Sequence, residues 1–113
     1  MNIEFGLHRI ELTGANQVSL SGRVFAGIVR YGICFTQACE IQYISHGKKP
    51  LRLPVAKISL VVRQIICYGW EISELDEGLT GLVEVTGSGI SLITPGMSLI
   101  AISPTLDSEW SGP

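Results

Sequence analysis

Between Gln17 and Phe25 the chain alternates strictly, and this alternation narrows the folds open to it more than any other feature. Val18, Leu20, Gly22 and Val24 fall on one face, and Gln17, Ser19, Ser21 and Arg23 on the other. A two-residue period is the mark of a half-buried strand. Phe5 to Thr13 alternates too, but its phase slips: Phe5 and Leu7 share one parity, Ile10 and Leu12 the other. One extra residue near His8-Arg9 produces that slip, so a β-bulge is expected there. Gly14-Ala15-Asn16 supplies a hairpin turn between the two strands, since Gly and Asn tolerate positive φ.

The rest of the chain follows the same pattern of strand and punctuation. Ala26-Gly27 closes the second strand, and Ile28 to Gly32 forms a connector. Ile33 to Ile44 is strand-like, and Ser45 to Pro50 is a polar loop. Pro54 restricts the entry to a long aliphatic strand pair or bent strand, Val55 to Tyr68. In it Ile58, Leu60 and Val62 oppose Lys57, Ser59 and Arg63. Ile72 to Gly78 reads as a short turn with one-turn helical character. Leu79 to Thr86 is a strand that sets Gly81, Val83 and Val85 against Leu82, Glu84 and Thr86. Thr94-Pro95-Gly96 fits a type II turn, with Pro at the second position and Gly at the third. Met97 to Ile102 is the last strand. No segment carries a sustained helical stripe. About seven short strands with frequent turns describe an all-β sandwich or barrel.

The 113 residues suit one domain, here residues 1–102, followed by a polar tail over 103–113 that is expected to be frayed. Apolar residues make up 46% of the chain and charged residues 16%. This balance excludes intrinsic disorder. It implies either a generous aliphatic interior or exposed apolar surface that serves contacts. The formal net charge of −2 gives no broad attraction for nucleic acid. Three cysteines, Cys34, Cys39 and Cys67, form an odd set with no C-x-x-C spacing. They read as free thiols in a reducing cytoplasm and not as a disulfide framework. The acidic start Met1-Asn2-Ile3-Glu4 shows no signal peptide, and no apolar run is long enough to span a bilayer.

The order of several short motifs resembles domain 2 of elongation factor Tu and its relatives. The run Leu7-His8-Arg9-Ile10-Glu11-Leu12 is followed by Gly14, Val18, Ser21-Gly22-Arg23-Val24 and Gly27-Ile28-Val29-Arg30-Tyr31-Gly32. This looks like that domain's strand, tight turn, Gly-Arg-Val strand and glycine-bounded connector. In the second half, Glu74-Leu75-Asp76-Glu77-Gly78, Gly81, Gly87, Ile93, Gly96 and Leu99 look like its Leu-Asp-Glu-Gly turn and closing strands. The segment from Gly87 to Ile93 is slightly shorter than usual. The resemblance covers roughly residues 4–102. It implies a small six- to seven-stranded antiparallel β-barrel, in which Gly22, Gly27 and Gly32 mark sharp bends or positive φ. The resemblance does not extend to the GTPase, and a free-standing copy without that domain is expected. No G-x-x-x-x-G-K-[ST] is present, and the glycines around Gly78-Leu79-Thr80-Gly81 and Gly87-Ser88-Gly89 lack a phosphate-binding lysine. No bound nucleotide and no cofactor are expected. In the resembled family the domain helps hold the aminoacylated end of tRNA and touches the ribosome, both together with neighbouring domains.

Candidate sites are few. His8, His46 and the cysteines are scattered without the close spacing of zinc ligands. Cys34 and Cys39 fall on opposite sides of a continuous strand unless a turn near Thr36-Gln37 reunites them. Cys34 and Cys67 lie in apolar runs, which favours inert burial over nucleophilic use. Glu74, Asp76 and Glu77 crowd a turn and read as a solvated, helix-starting acidic cluster. The loop holding His46, Lys48, Lys49 and Arg52, with Tyr43 before it, reads in two ways. It is either a phosphate contact with Tyr43 stacking on a base, or a hairpin loop kept soluble by its lysines. Trp70 fits a rim anchor for a partner or a plug for a barrel end. The expected function is therefore a cytoplasmic, non-enzymatic binding or assembly module. It would contact a protein, a second copy of itself, or RNA through the basic loop; a structural homo-oligomer and a small Cys/His-based enzyme or ligand-binding barrel are the alternatives.

Overall fold

A computed structural model of the chain describes residues 2–42 and 50–102. Nine strands follow in order: β1 (Asn2–Gly14), β2 (Gln17–Ala26), β3 (Val29–Arg30), β4 (Cys34–Gln42), β5 (Leu51–Cys67), β6 (Trp70–Glu71), β7 (Glu74–Leu75), β8 (Thr80–Ser88) and β9 (Ser98–Ile102). The six longer strands pair antiparallel in the order β4-β9-β1-β2-β8-β5, and β5 returns to β4. The ring is closed, as the sequence pattern required, although its strands are not spread evenly round an axis. β6 extends β5 as a hairpin, and β3 pairs with β7 as a two-stranded flap.

Closure fills the interior with the predicted alternating residues. Val18, Leu20 and Val24 of β2, Leu60 and Val62 of β5, and Val83 and Val85 of β8 are all fully buried. Phe5 and Phe35 meet at the centre with ring centroids 6.3 Å apart. The bulge expected at His8-Arg9 is present. Leu7 pairs with Gly22 and Arg9 with Ser21, which leaves His8 as the extra residue. The parity switch it causes does not place Leu12 in the core: its partner Val18 is fully buried beside β8, but β9 pairs with β1 only as far as Gly6, so nothing covers Leu12 and it is 72% exposed.

Three further register shifts bend the long β5, the first where Ile58 and Ser59 face Thr36 alone, between the pairs Phe35–Leu60 and Gln37–Lys57. Val55 is skipped between the pairs Ala38–Ala56 and Cys39–Pro54, so Pro54 lies inside the strand, at an irregular position that tolerates a residue without N–H. Arg63 is skipped between the pairs Val62–Val85 and Gln64–Glu84. That slip carries the buried face from Val62 to Ile65.

Two local expectations change. The Gly14-Ala15-Asn16 turn uses no positive φ, since the only positive-φ residue besides glycines among those described is Tyr68 and Gly14 is not among the positive-φ glycines. Residues 72–78 contain no helix; Glu74 and Leu75 are held extended by Arg30 and Val29 across the β3–β7 ladder. The helical turn instead forms at Ile90–Leu92, as a single 3-10 turn entered through Gly89. The turn at Pro95-Gly96 is as expected: Gly96 has φ +96 and the Met97 amide donates to the Thr94 carbonyl at 3.2 Å. The expected tail over 103–113 lies outside the described residues. No helix among the described residues is long and apolar enough to cross a membrane, which leaves strand-built crossings untouched.

Candidate functional site

A cleft lies where the tip of the β1–β2 hairpin stands beside the Ile90–Leu92 turn. At Ser88 strand β8 leaves the ladder, and the backbone between it and β9 is shaped by glycine. A Cβ on Gly87 would stand 1.8 Å from the Ser59 carbonyl oxygen, so the strand crosses β5 at a separation that only glycine permits. The Gly87 amide donates to the Asn16 carbonyl at 3.1 Å and ties the hairpin tip to this crossing. Between hairpin and 3-10 turn opens a cleft of about 710 Å³, with Ile10, Leu12 and Asn16 on one wall and Ile90, Ser91 and Ile93 on the other. Its volume is typical of ligand sites. No lining residue carries a titratable side chain. β1 adds a further feature. From His8 to Gly14 it pairs with β2 on one side and, among the described residues, with no strand on the other. Its outward N–H and C=O groups therefore line an open sheet edge.

Tyr43, His46, Lys48 and Lys49 lie outside the described residues. Arg52 is described, and its Nε donates to Glu4 Oε2 at 2.6 Å. The same oxygen accepts the Ser98 hydroxyl. Glu4 and Ser98 are both buried although they sit on the outer face of β1 and β9, because Arg52 closes over them. Cys39 completes this cluster through its pairing with Ser98 on one side and Pro54 on the other. Burial pushes its thiol pKa up, the nearby Glu4 carboxylate adds to the rise, and Arg52 opposes it. Arg52 thus has an internal carboxylate as its partner. No local sequence feature signals this, because Glu4 stands on the parity opposite the buried Ile3 and Phe5.

The remaining thiols are also free. Cys34 lies 3.7 Å from the Ser59 hydroxyl, and Cys67 donates to the Thr80 carbonyl at 3.5 Å. No turn reunites Cys34 with Cys39; β4 runs between them with two register shifts. The acidic cluster is partly engaged. Glu74 pairs with Arg30 at 2.6 Å, and Glu77 accepts the Gly27 amide at 3.2 Å. Trp70 does not plug the barrel. It stands 76% exposed at the tip of the β5–β6 hairpin, beside Tyr68 at 91%.

No family model matches the chain, and no curated protein matches it. Its backbone does match solved structures. Translation elongation factor SelB from Methanococcus maripaludis, both in its apo form and in complex with the GTP analogue GppNHp, superposes with a TM-score of 0.62 at 17% identity over 88% of this chain. The chain has the fold of a translation-factor barrel domain. It spans 19% of the length of each SelB chain. The architecture implied by the Gly-Arg-Val and Leu-Asp-Glu-Gly motifs is therefore present, at a sequence identity that carries the fold and nothing more.

Proposed function

We propose that this chain is a binding module that takes an extended, uncharged segment of a partner protein into the cleft between the β1–β2 hairpin and the Ile90–Leu92 turn. The observation that carries the reading is the pairing of an open strand edge with a neutral apolar groove. A peptide laid along His8 to Thr13 gains main-chain hydrogen bonds from β1, and its alternate side chains fall between Ile10, Leu12, Ile90 and Ile93. Strand addition of this kind takes affinity from the backbone and specificity from pockets. With no titratable group in its lining, the cleft favours recognition over acid–base or nucleophilic chemistry.

A second reading comes from the shared fold. A domain shaped like one of a translation elongation factor also suits an RNA contact in a cytoplasmic setting, and the lysines of residues 48–49 would add phosphate contacts near Arg52.

A photo-reactive amino acid placed at Leu12, with Lys57 as the control position, tests both. Covalent capture of an extended peptide from Leu12 but not from Lys57, lost when Ile90→Asp is added, supports strand addition. Capture of RNA at Leu12 replaces it with the second reading. Capture of nothing but a second copy of the chain makes the cleft a self-association surface, and no site-dependent capture rejects it as a site.

A further inference from the structure

At the end of the barrel away from the cleft, the two-residue turn of the β5–β6 hairpin holds Tyr68 at φ +53 and Gly69 at φ +80, between the paired residues Cys67 and Trp70. Both central residues having positive φ defines a type I′ turn, whose first position favours Asn, Asp or Gly. A tyrosine there is strained, and at 91% exposure its ring gains almost nothing from packing in return. Trp70 beside it is 76% exposed. Leu79, Phe25 and Tyr31 extend the apolar surface around this end of the barrel, at 40–43% exposure.

The charge at this end is one-sided. Residues 68–79 hold Glu71, Glu74, Asp76 and Glu77 and no basic residue, and all four carboxylates are exposed. Two arginines reach in from neighbouring strands. Arg30 is paired with Glu74, and Arg23 donates its Nε to the Gly78 carbonyl at 3.1 Å. Four negative and two positive charges leave this end net negative. Glu71 accepts the Tyr31 hydroxyl at 2.7 Å, and as a carboxylate it has further acceptor capacity.

We propose that this aromatic, acidic end docks an arginine-bearing segment of a partner protein, independently of the cleft. Guanidinium planes stack on exposed Trp and Tyr rings and donate two parallel hydrogen bonds to a carboxylate, and both acceptor types sit on or beside one hairpin here. An ammonium matches this surface less well, because it neither stacks nor forks. Phosphate, whether in RNA or in an anionic lipid headgroup, meets repulsion from the four carboxylates.

The test is a titration of the isotope-labelled full chain, followed by amide and indole NMR shifts, with three probes: a (Gly-Arg)₄ peptide, its (Gly-Lys)₄ counterpart and a single-stranded oligouridine. The arginine peptide is expected to shift Tyr68, Gly69, Trp70 and Glu71 selectively and to leave His8 to Thr13 unmoved. Its affinity should fall about tenfold in Trp70→Ser, the loss of one partly desolvated stacking contact. Trp70 is exposed, so that variant keeps the fold; Tyr68→Asn, which relieves the turn, serves as a second variant and should weaken binding several-fold while the protein stays folded. Equal binding of the lysine peptide reduces the effect to general charge and overturns the proposal. So do shifts scattered over other strands, binding of the oligouridine at these residues, or no shift at millimolar peptide.

Discussion

Gly22 packs against Gly6 so closely that a Cβ built on Gly22 would stand 2.0 Å from the Gly6 carbonyl oxygen and 2.9 Å from the Phe5 ring. Two neighbouring strands meet here one residue from the His8 bulge, where β1 changes the face it buries. The contact belongs to backbone, which cannot rotate aside as a side chain can.

Gly22→Ala should therefore cost about 3 kcal/mol or more, the upper range for overpacking. Gly32→Ala meets no neighbour and suffers only its φ of +82, so about 1 kcal/mol is expected. Gly6→Ala would press only on the outer end of the half-exposed Phe25 ring, which can swing away, and should cost less than Gly22→Ala. Urea denaturation of the three variants gives this ranking; a Gly22→Ala protein as stable as the parent would refute it.

The Glu4–Arg52 pair should matter more than an ordinary surface salt bridge, because the carboxylate is buried and the Ser98 hydroxyl shares its oxygen. Arg52 is itself 40% exposed, so solvent screens part of the attraction. Arg52→Ala is expected to destabilise by about 1–2 kcal/mol, chiefly by leaving Glu4 buried without its counter-ion. The Glu4→Gln, Arg52→Ala double mutant should lose less than the sum of the singles, a coupling read by a double-mutant cycle.

At the opposite end the sign reverses. Tyr68→Asn places the residue that a type I′ turn prefers where a bulky ring now sits. A gain of about 0.5–1 kcal/mol is expected, seen as a rise in Tm. No rise would mean that the Tyr68 ring stabilises the fold in a way its exposure does not suggest.

The three thiols should separate by reactivity. Cys39 is buried and its pKa is raised by desolvation and by Glu4, so its thiolate is scarce near neutral pH. Ellman's reagent at pH 8 should modify Cys34 and Cys67, both half-buried, well before Cys39. Arg52→Ala removes the group that lowers the Cys39 pKa and uncovers the site, so the later rate reports which effect dominates.

Tyr31 should ionise above the ordinary tyrosine pKa of about 10, because Glu71 accepts its proton in a hydrogen bond and its charge opposes phenolate. The sign follows from the neutral phenol being the favoured form. Its stabilisation is complete below the ordinary pKa and disappears as pH climbs through the raised value. An absorbance titration at 295 nm of Glu71→Gln against the parent should show one tyrosine titrating earlier in the variant.

How much of this was legible in the sequence depends on the range over which each feature is decided. Period-two alternation placed Val18, Leu20 and Val24 in the core and located the His8 bulge, because a strand's side chains alternate whatever it pairs with. Pro95-Gly96 gave its turn for the same local reason. The cleft, the buried Glu4 and the exposed Trp70 were decided only when the ring closed. Glu4 became buried because β4, β5 and β9 bring Cys39, Arg52 and Ser98 to the outer face of β1, residues 35, 48 and 94 positions away in the chain. Leu12, apolar and in phase with a core face, became exposed because β9 pairs with β1 only as far as Gly6 and leaves Leu12 uncovered. Burial is a property of what stands opposite, and the alternation within one strand carries no information about that.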